Sequence, residues 1–106
     1  MGEEIASRYL KHKGYTILNR NYASRHGEID LIAFHNMTLV FVEVKTRKNY
    51  DYIYACESVN YQKQTKIKLT ANKYLAENLL YFDDIRFDVI ECYWQSKQVN
   101  HIENAF

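Results

Sequence analysis

The sequence predicts an α/β domain of the α+β kind, with elements in the order αβββαβ and a mixed central sheet flanked by helices. Two stretches carry apolar residues at helical period, and four runs rich in β-branched and aromatic residues alternate at period two. The polar links between the first three runs are short, whereas a helical stretch separates the third run from the fourth. Short links favour antiparallel neighbours, and a helical crossover permits a parallel pair.

The first helix is read from Ile5, Ala6, Tyr9 and Leu10, which recur at helical spacing between Glu3 and Lys13, with acids in the first turn and Gly14 as the stop. Residues 15–22 form a strand and 23–27 a polar turn. The runs 28–34 and 39–45 are the second and third strands, the latter reaching about Arg47, and His35-Asn36-Met37-Thr38 suits a hairpin between them. Residues 48–58 fit neither pattern and are read as a loop. Residues 61–80 form the second helix, with Ile67, Ala71, Tyr74, Leu75 and Leu79 on one face and Lys63, Lys66 and Lys73 on or near the other. Residues 85–94 are the last strand. There is no proline and no internal repeat.

A chain of 106 residues fits one domain, and 47% hydrophobic with 15% aromatic residues is ample for its core. The net charge of +1 advertises no polyanion partner, so nucleic-acid binding would need a local basic face. The two cysteines, Cys56 and Cys92, lack metal or disulfide spacing and are expected to be reduced. The histidines His12, His26, His35 and His101 are scattered, each read as a surface or loop residue, which argues against zinc. No apolar run approaches the ~20 residues that span a bilayer, and the amino terminus is acidic, so a soluble, cytoplasmic protein is expected.

Gly27-Glu28-Ile29-Asp30 and Val42-Glu43-Val44-Lys45 place ions inside runs that otherwise read as buried strand, where a charge is costly unless paired or metal-bound. Alternation puts Glu28 with Asp30 on one face and Glu43 with Lys45 on one face, and the hairpin would let Asp30, Glu43 and Lys45 converge. Two carboxylates about 4 Å apart repel by roughly 4 kcal/mol at an effective dielectric near 20, so the pair wants a proton, a cation or a lysine. A hard ion such as Mg²⁺ accepts carboxylate, carbonyl, water and phosphate oxygens, a constellation suited to phosphodiester cleavage. Lys45 would then orient the attacking water or offset charge in the transition state. The plainer alternative is a salt-bridged strand edge in which Asp30 or Glu43 simply pairs with Lys45. The acid upstream of Glu43-Val44-Lys45, inside apolar runs, favours the site.

That element order, with an acid at the start of strand two and Glu-x-Lys on strand three, resembles the restriction-endonuclease-like PD-(D/E)XK superfamily. Within it the chain is similar to the YraN-like endonuclease family, related to Holliday-junction resolvases. Matching segments span nearly the whole chain: Gly2-Glu3 with Ala6 and Tyr9-Leu10, Gly14-Tyr15 through Asn21, residues 27–33 and 40–47, Lys63, Tyr74-Leu75, Arg86-Phe87-Asp88-Val89 and residues 101–106. The resemblance implies Asp30 and Glu43 as metal ligands, the Val44 carbonyl as a third, Lys45 as the catalytic lysine, and Mg²⁺ or Mn²⁺ as cofactor. Glu3 resembles the helix-one acid that joins the metal site in archaeal resolvases; equally, the helix dipole favours an acid there by ~0.3–1 kcal/mol. Glu28 either faces the site beside Asp30 or pairs with Arg25 or Arg47. Lys63 falls where the family carries a basic residue able to reach phosphate, or belongs to a solvated helix face. Ile29 stands where the superfamily's naming proline would be, and no glycine follows Arg47.

Arg47, Lys48, Lys63 and Lys66, with Lys68, make a basic rim interleaved with Tyr50, Tyr52, Tyr54 and Tyr61, which suits DNA, branched or single-stranded, through phosphate contacts and base stacking. A tyrosine-rich loop suits a dimer contact equally well, and a homodimer is expected because resolvase-like relatives act as two-fold dimers. The expected function is metal-dependent endonucleolytic hydrolysis of DNA, with branched or structured DNA as substrate. The alternative is a non-catalytic nucleic-acid-binding or partner-docking module that keeps the nuclease fold.

Overall fold

In the computed structural model, which describes residues 2–47 and 59–106, the chain runs α1 (Gly2–His12), β1 (Thr16–Ser24), β2 (Gly27–His35), β3 (Thr38–Arg47), α2 (Tyr61–Glu77), β4 (Asp84–Tyr93) and β5 (Gln98–Ile102). The strands form one five-stranded mixed sheet in sequence order, antiparallel except for the β3–β4 pair. That pair is parallel because the crossover between its strands carries α2.

Alternate residues of β3 serve two cores. Val40 and Val42 pack with Ala6 and Leu10 of α1 and with Leu31, Ala33, Ile90 and Cys92. Leu39 and Phe41 pack instead with Ile67, Ala71 and Tyr74 of α2 and with Ile32 and Val89. The helices therefore cover opposite faces, and a strand buried on both sides has no polar position to spare. An acid in such a strand is for that reason informative.

Local chemistry sets the element ends. Gly14 takes φ +93° after α1, where the Tyr15 N–H reaches back to the Leu10 carbonyl at 2.9 Å. The β2–β3 hairpin turns on Asn36 and Met37, both at positive φ as a two-residue hairpin requires. Asn60 caps α2 by accepting the Lys63 N–H at 2.9 Å.

The structure departs from the sequence reading in three places. First, α2 stops at Glu77 rather than residue 80, because Asn78 is extended and donates its side-chain amide to the Tyr74 carbonyl. Leu79, expected on the buried face, is fully exposed, and Thr70 takes a buried place instead, bonded to Ser24. Second, residues 98–102 form a strand that alternation did not reveal. His101, a half-buried position, meets Asp88 of β4, and the exposed Asn100 reaches Glu91, so polar residues interrupt the apolar period. Third, His101 is not a surface residue: its side chain is 5% exposed. The expected loop at 48–58, with Lys48, Tyr50, Tyr52, Tyr54 and Cys56, lies outside the described residues. Cys92 is a buried free thiol, and no helix among the described residues is long and apolar enough to cross a membrane.

Candidate metal centre

The acids of interest meet where β2 and β3 part. Their pairing runs from the hairpin to Leu31 opposite Val42 and stops there. Beyond it the Asp30 carboxylate substitutes for the missing ladder: Oδ2 accepts the Val44 N–H at 2.8 Å. Strict alternation also breaks at this point, since Leu31 packs on the α1 side and Ile29 on the α2 side. A strand that turns over at Asp30 aims this carboxylate at the sheet end, between the two helical layers. Both helices reach that end with their first turns.

From α1 comes Glu3. Its carboxylate lies with those of Glu28 and Asp30 in a group in which one oxygen from each residue lies within 4.8 Å of the others. Gly2 makes this approach possible, because a Cβ there would sit 2.1 Å from Thr46 Oγ1 on β3. From α2 comes Lys63, whose Nζ is 2.9 Å from Glu43 Oε1. Lys45 Nζ is 3.7 Å from the same oxygen. Glu43 is only 6% exposed, so these lysines supply the charge compensation that its burial demands.

Burial pushes the Asp30 carboxyl up to about 7, against the pull of the Val44 N–H, and the neighbouring Glu43 and Glu3 push in the same direction. Lys45 is shifted down, by burial first and then by the adjoining Lys63 ammonium. For Lys63, burial acts downward, but contact with Lys45 and Glu43 outweighs it and the net shift is upward. The donor set is carboxylate oxygen throughout, which fits a hard divalent cation; Glu3, Glu28 and Asp30 form the close group that could hold one, with Glu43 beside Asp30.

Of the residues singled out from sequence, Asp30, Glu43, Lys45, Glu3 and Glu28 converge, with Val44 supplying its N–H to Asp30. Glu28 stands on the site side of its two alternatives: Arg25 contacts His26 and Arg47 is taken elsewhere. Lys63 and Lys66 line an adjoining cleft of about 360 Å³ with His26, Gly27, Glu28, Asn60, Gln62 and Ile67. Arg47, expected at a nucleic-acid surface, instead has its guanidinium 2.9 Å from Glu91 Oε2, and Glu91 is 1% exposed. A buried acid that also accepts from Tyr93 and Asn100 needs this cation, so Arg47 is committed to the sheet.

The sequence reading missed Asp88 and Glu91. Both carry the signal that marked Asp30 and Glu43, an acid inside an apolar strand. Asp88 is fully buried and holds Arg86 at 2.8 and 2.9 Å, His101 at 2.7 Å and the Asn104 N–H at 3.0 Å.

Comparison with known proteins gives one consistent result. The family model described as "Uncharacterised protein family UPF0102" matches residues 2–92. A UPF0102 protein of Alkaliphilus oremlandii is 50% identical, covering 100% of this chain and 94% of its own. Another from Clostridioides difficile is 49% identical over 99% of this chain and 92% of its own, and one from Rhodococcus opacus is 42% identical over the same shares.

Proposed function

The chain belongs to the UPF0102 family, the YraN-like group, and on that footing we propose that it is a metal-dependent endonuclease that hydrolyses DNA phosphodiester bonds, with branched or structured DNA as substrate. The observation that carries this reading is Asp30: a carboxylate oriented by the Val44 N–H, crowded by Glu43 and Glu3, and set beside Glu28, with Lys45 against Glu43. Such crowding of acids is unfavourable without a compensating cation, and Mg²⁺ or Mn²⁺ matches its oxygen chemistry.

Asp30 and Glu43, with the Val44 carbonyl, are the ligands on this reading, and Glu3 joins from α1. A cation held there would supply Lewis acidity toward phosphate and water. Lys45, with its proton affinity lowered by burial, orients the attacking water and meets the negative charge that grows on the phosphate in the transition state. Lys63 and Lys66 line the cleft through which the backbone of the substrate approaches, and their charge favours phosphate there.

Asp30→Asn, Glu43→Gln and Lys45→Ala are each expected to lower Mg²⁺- or Mn²⁺-dependent cleavage of branched, nicked or single-stranded DNA about 100-fold or more, with folding retained, as loss of an electrostatic stabiliser does. Full activity in all three variants overturns the reading. One observation favours a second reading, a nucleic-acid-binding module without turnover: Lys45 and Lys63 both lie against Glu43 and can balance its charge. Affinity for DNA that is indifferent to metal and to Lys45→Ala would identify that module.

A further inference from the structure

Lys63 enters the site from outside the two strands that build it, yet it makes the shorter contact with Glu43. Its Nζ is 2.9 Å from Oε1, against 3.7 Å for Lys45, which shares the strand. The Lys63 side chain is 39% exposed, whereas that of Glu43 is 7% exposed. The backbone below it is fixed, because the Lys63 N–H is the group that Asn60 caps. Motion at this position therefore belongs to the flexible four-carbon stem. Both ends of its swing exist in the fold: Glu43 on the inside, and on the outside the cleft lined by Lys66 and His26.

We propose that Lys63 is a built-in counter-ion for Glu43 that competes with the divalent cation, and that it turns out into the cleft, toward a phosphate group, when the metal binds. This rests on the reading of the site as a metal-dependent nuclease. An ammonium ion is a compact point charge with directed donors, able to take the place of a metal at one carboxylate oxygen. Ammonium and divalent cation repel at such range, so the two states exclude each other. Metal affinity is then reduced by the fraction of molecules in which Lys63 holds Glu43. By linkage, a phosphate that draws Lys63 outward strengthens metal binding, and the metal strengthens phosphate binding by the same factor. Lys63 is a positioning residue in this scheme, acting through Glu43.

The test is calorimetric titration of the purified protein with Mn²⁺ alone, in the absence of DNA. Lys63→Met, which keeps the stem and removes the charge, is expected to bind Mn²⁺ about tenfold more tightly, as follows if Lys63 occupies Glu43 in about nine-tenths of molecules. Lys63→Arg, which keeps the charge, and Lys68→Met, which removes a charge elsewhere on α2, are expected to stay near the wild type. Thermal melts supply a second readout: Lys63→Met should melt lower than wild type without metal and gain more on adding Mn²⁺. Equal or weaker Mn²⁺ binding by Lys63→Met overturns this proposal while leaving the metal centre standing. An equal gain from Lys68→Met overturns it too, since any surface charge would then suffice. Absence of Mn²⁺ binding in wild type and variants alike removes both this proposal and the metal reading.

Discussion

Asp30 sits between opposing influences: the Val44 N–H and the nearby Lys45 and Lys63 on one side, burial and two neighbouring acids on the other. The Val44 N–H favours the carboxylate, while burial and the Glu43 and Glu3 charges favour the acid, and the balance lies at about 7. In the unfolded chain the same group titrates near 3.8, so the folded protein holds this proton more tightly. Stability contributed by protonated Asp30 is therefore complete below about pH 4 and is lost as pH rises through about 7. On the proposed reading a divalent cation would need the carboxylate, so its stabilisation would grow across the same window. Melts from pH 5 to 8 in chelator are expected to show a falling midpoint and in excess Mg²⁺ a smaller fall, with Asp30→Asn abolishing the difference. A wild-type midpoint that responds to Mg²⁺ equally at pH 5 and pH 8 would contradict this.

At the scale of elements, the seat of α1 on β3 decides whether Glu3 can take part. Gly2 lies against the strand, with Cβ room denied by Thr46 Oγ1 at 2.1 Å and approached by Thr46 Cβ at 3.4 Å. Gly2→Ala forces the Thr46 side chain or the first turn to shift, and overpacking of this kind costs about 1–3 kcal/mol. Urea unfolding should register that loss, and Mn²⁺ titration should show weaker binding as the Glu3 carboxylate withdraws from Glu28 and Asp30. Thr46→Ala removes the hydroxyl and is expected to restore both properties in the Gly2→Ala background. Unchanged metal affinity in a destabilised Gly2→Ala would show Glu3 to be a dipole acid only.

Across the whole molecule, Asp88 joins parts that the two cores leave separate. Arg86, its bidentate partner, reaches Tyr15 in the link between α1 and β1 and Glu103 in the tail, while His101 contacts Tyr9 of α1. The Asn104 N–H and the Ala105 N–H, bonded to Asp88 and to the Phe87 carbonyl, fasten the residues after β5 to β4. Its partners hold Asp88 ionised below the usual carboxylate range despite burial. The stability it contributes is thus present above about pH 4 and lost as pH falls through its depressed value. Breaking a buried pair by removing one partner costs about 3–5 kcal/mol, so Asp88→Asn should lower urea stability by that order at pH 7. A loss under about 1 kcal/mol, the scale of an exposed ion pair, would show the cluster to be dispensable.

The sequence by itself determined the kinds of element, their order through β4 and the meeting of Asp30, Glu43 and Lys45. Each of these depends on local information: period, caps, and a hairpin turn that lays adjacent strands side by side. β5 escaped because Asn100 and His101 interrupt its apolar positions, and their partners Glu91 and Asp88 come from another strand. The pairing of Arg47 with Glu91 escaped because a rim of basic residues looks alike in sequence whether or not a buried acid waits beneath it. Only the tertiary structure decided that Glu3, Glu28 and Lys63 gather around the same strand ends, and which carboxylate each lysine holds. Periodicity assigns a side chain to a face, whereas the distance between faces of different elements is set by how the helices pack on the sheet.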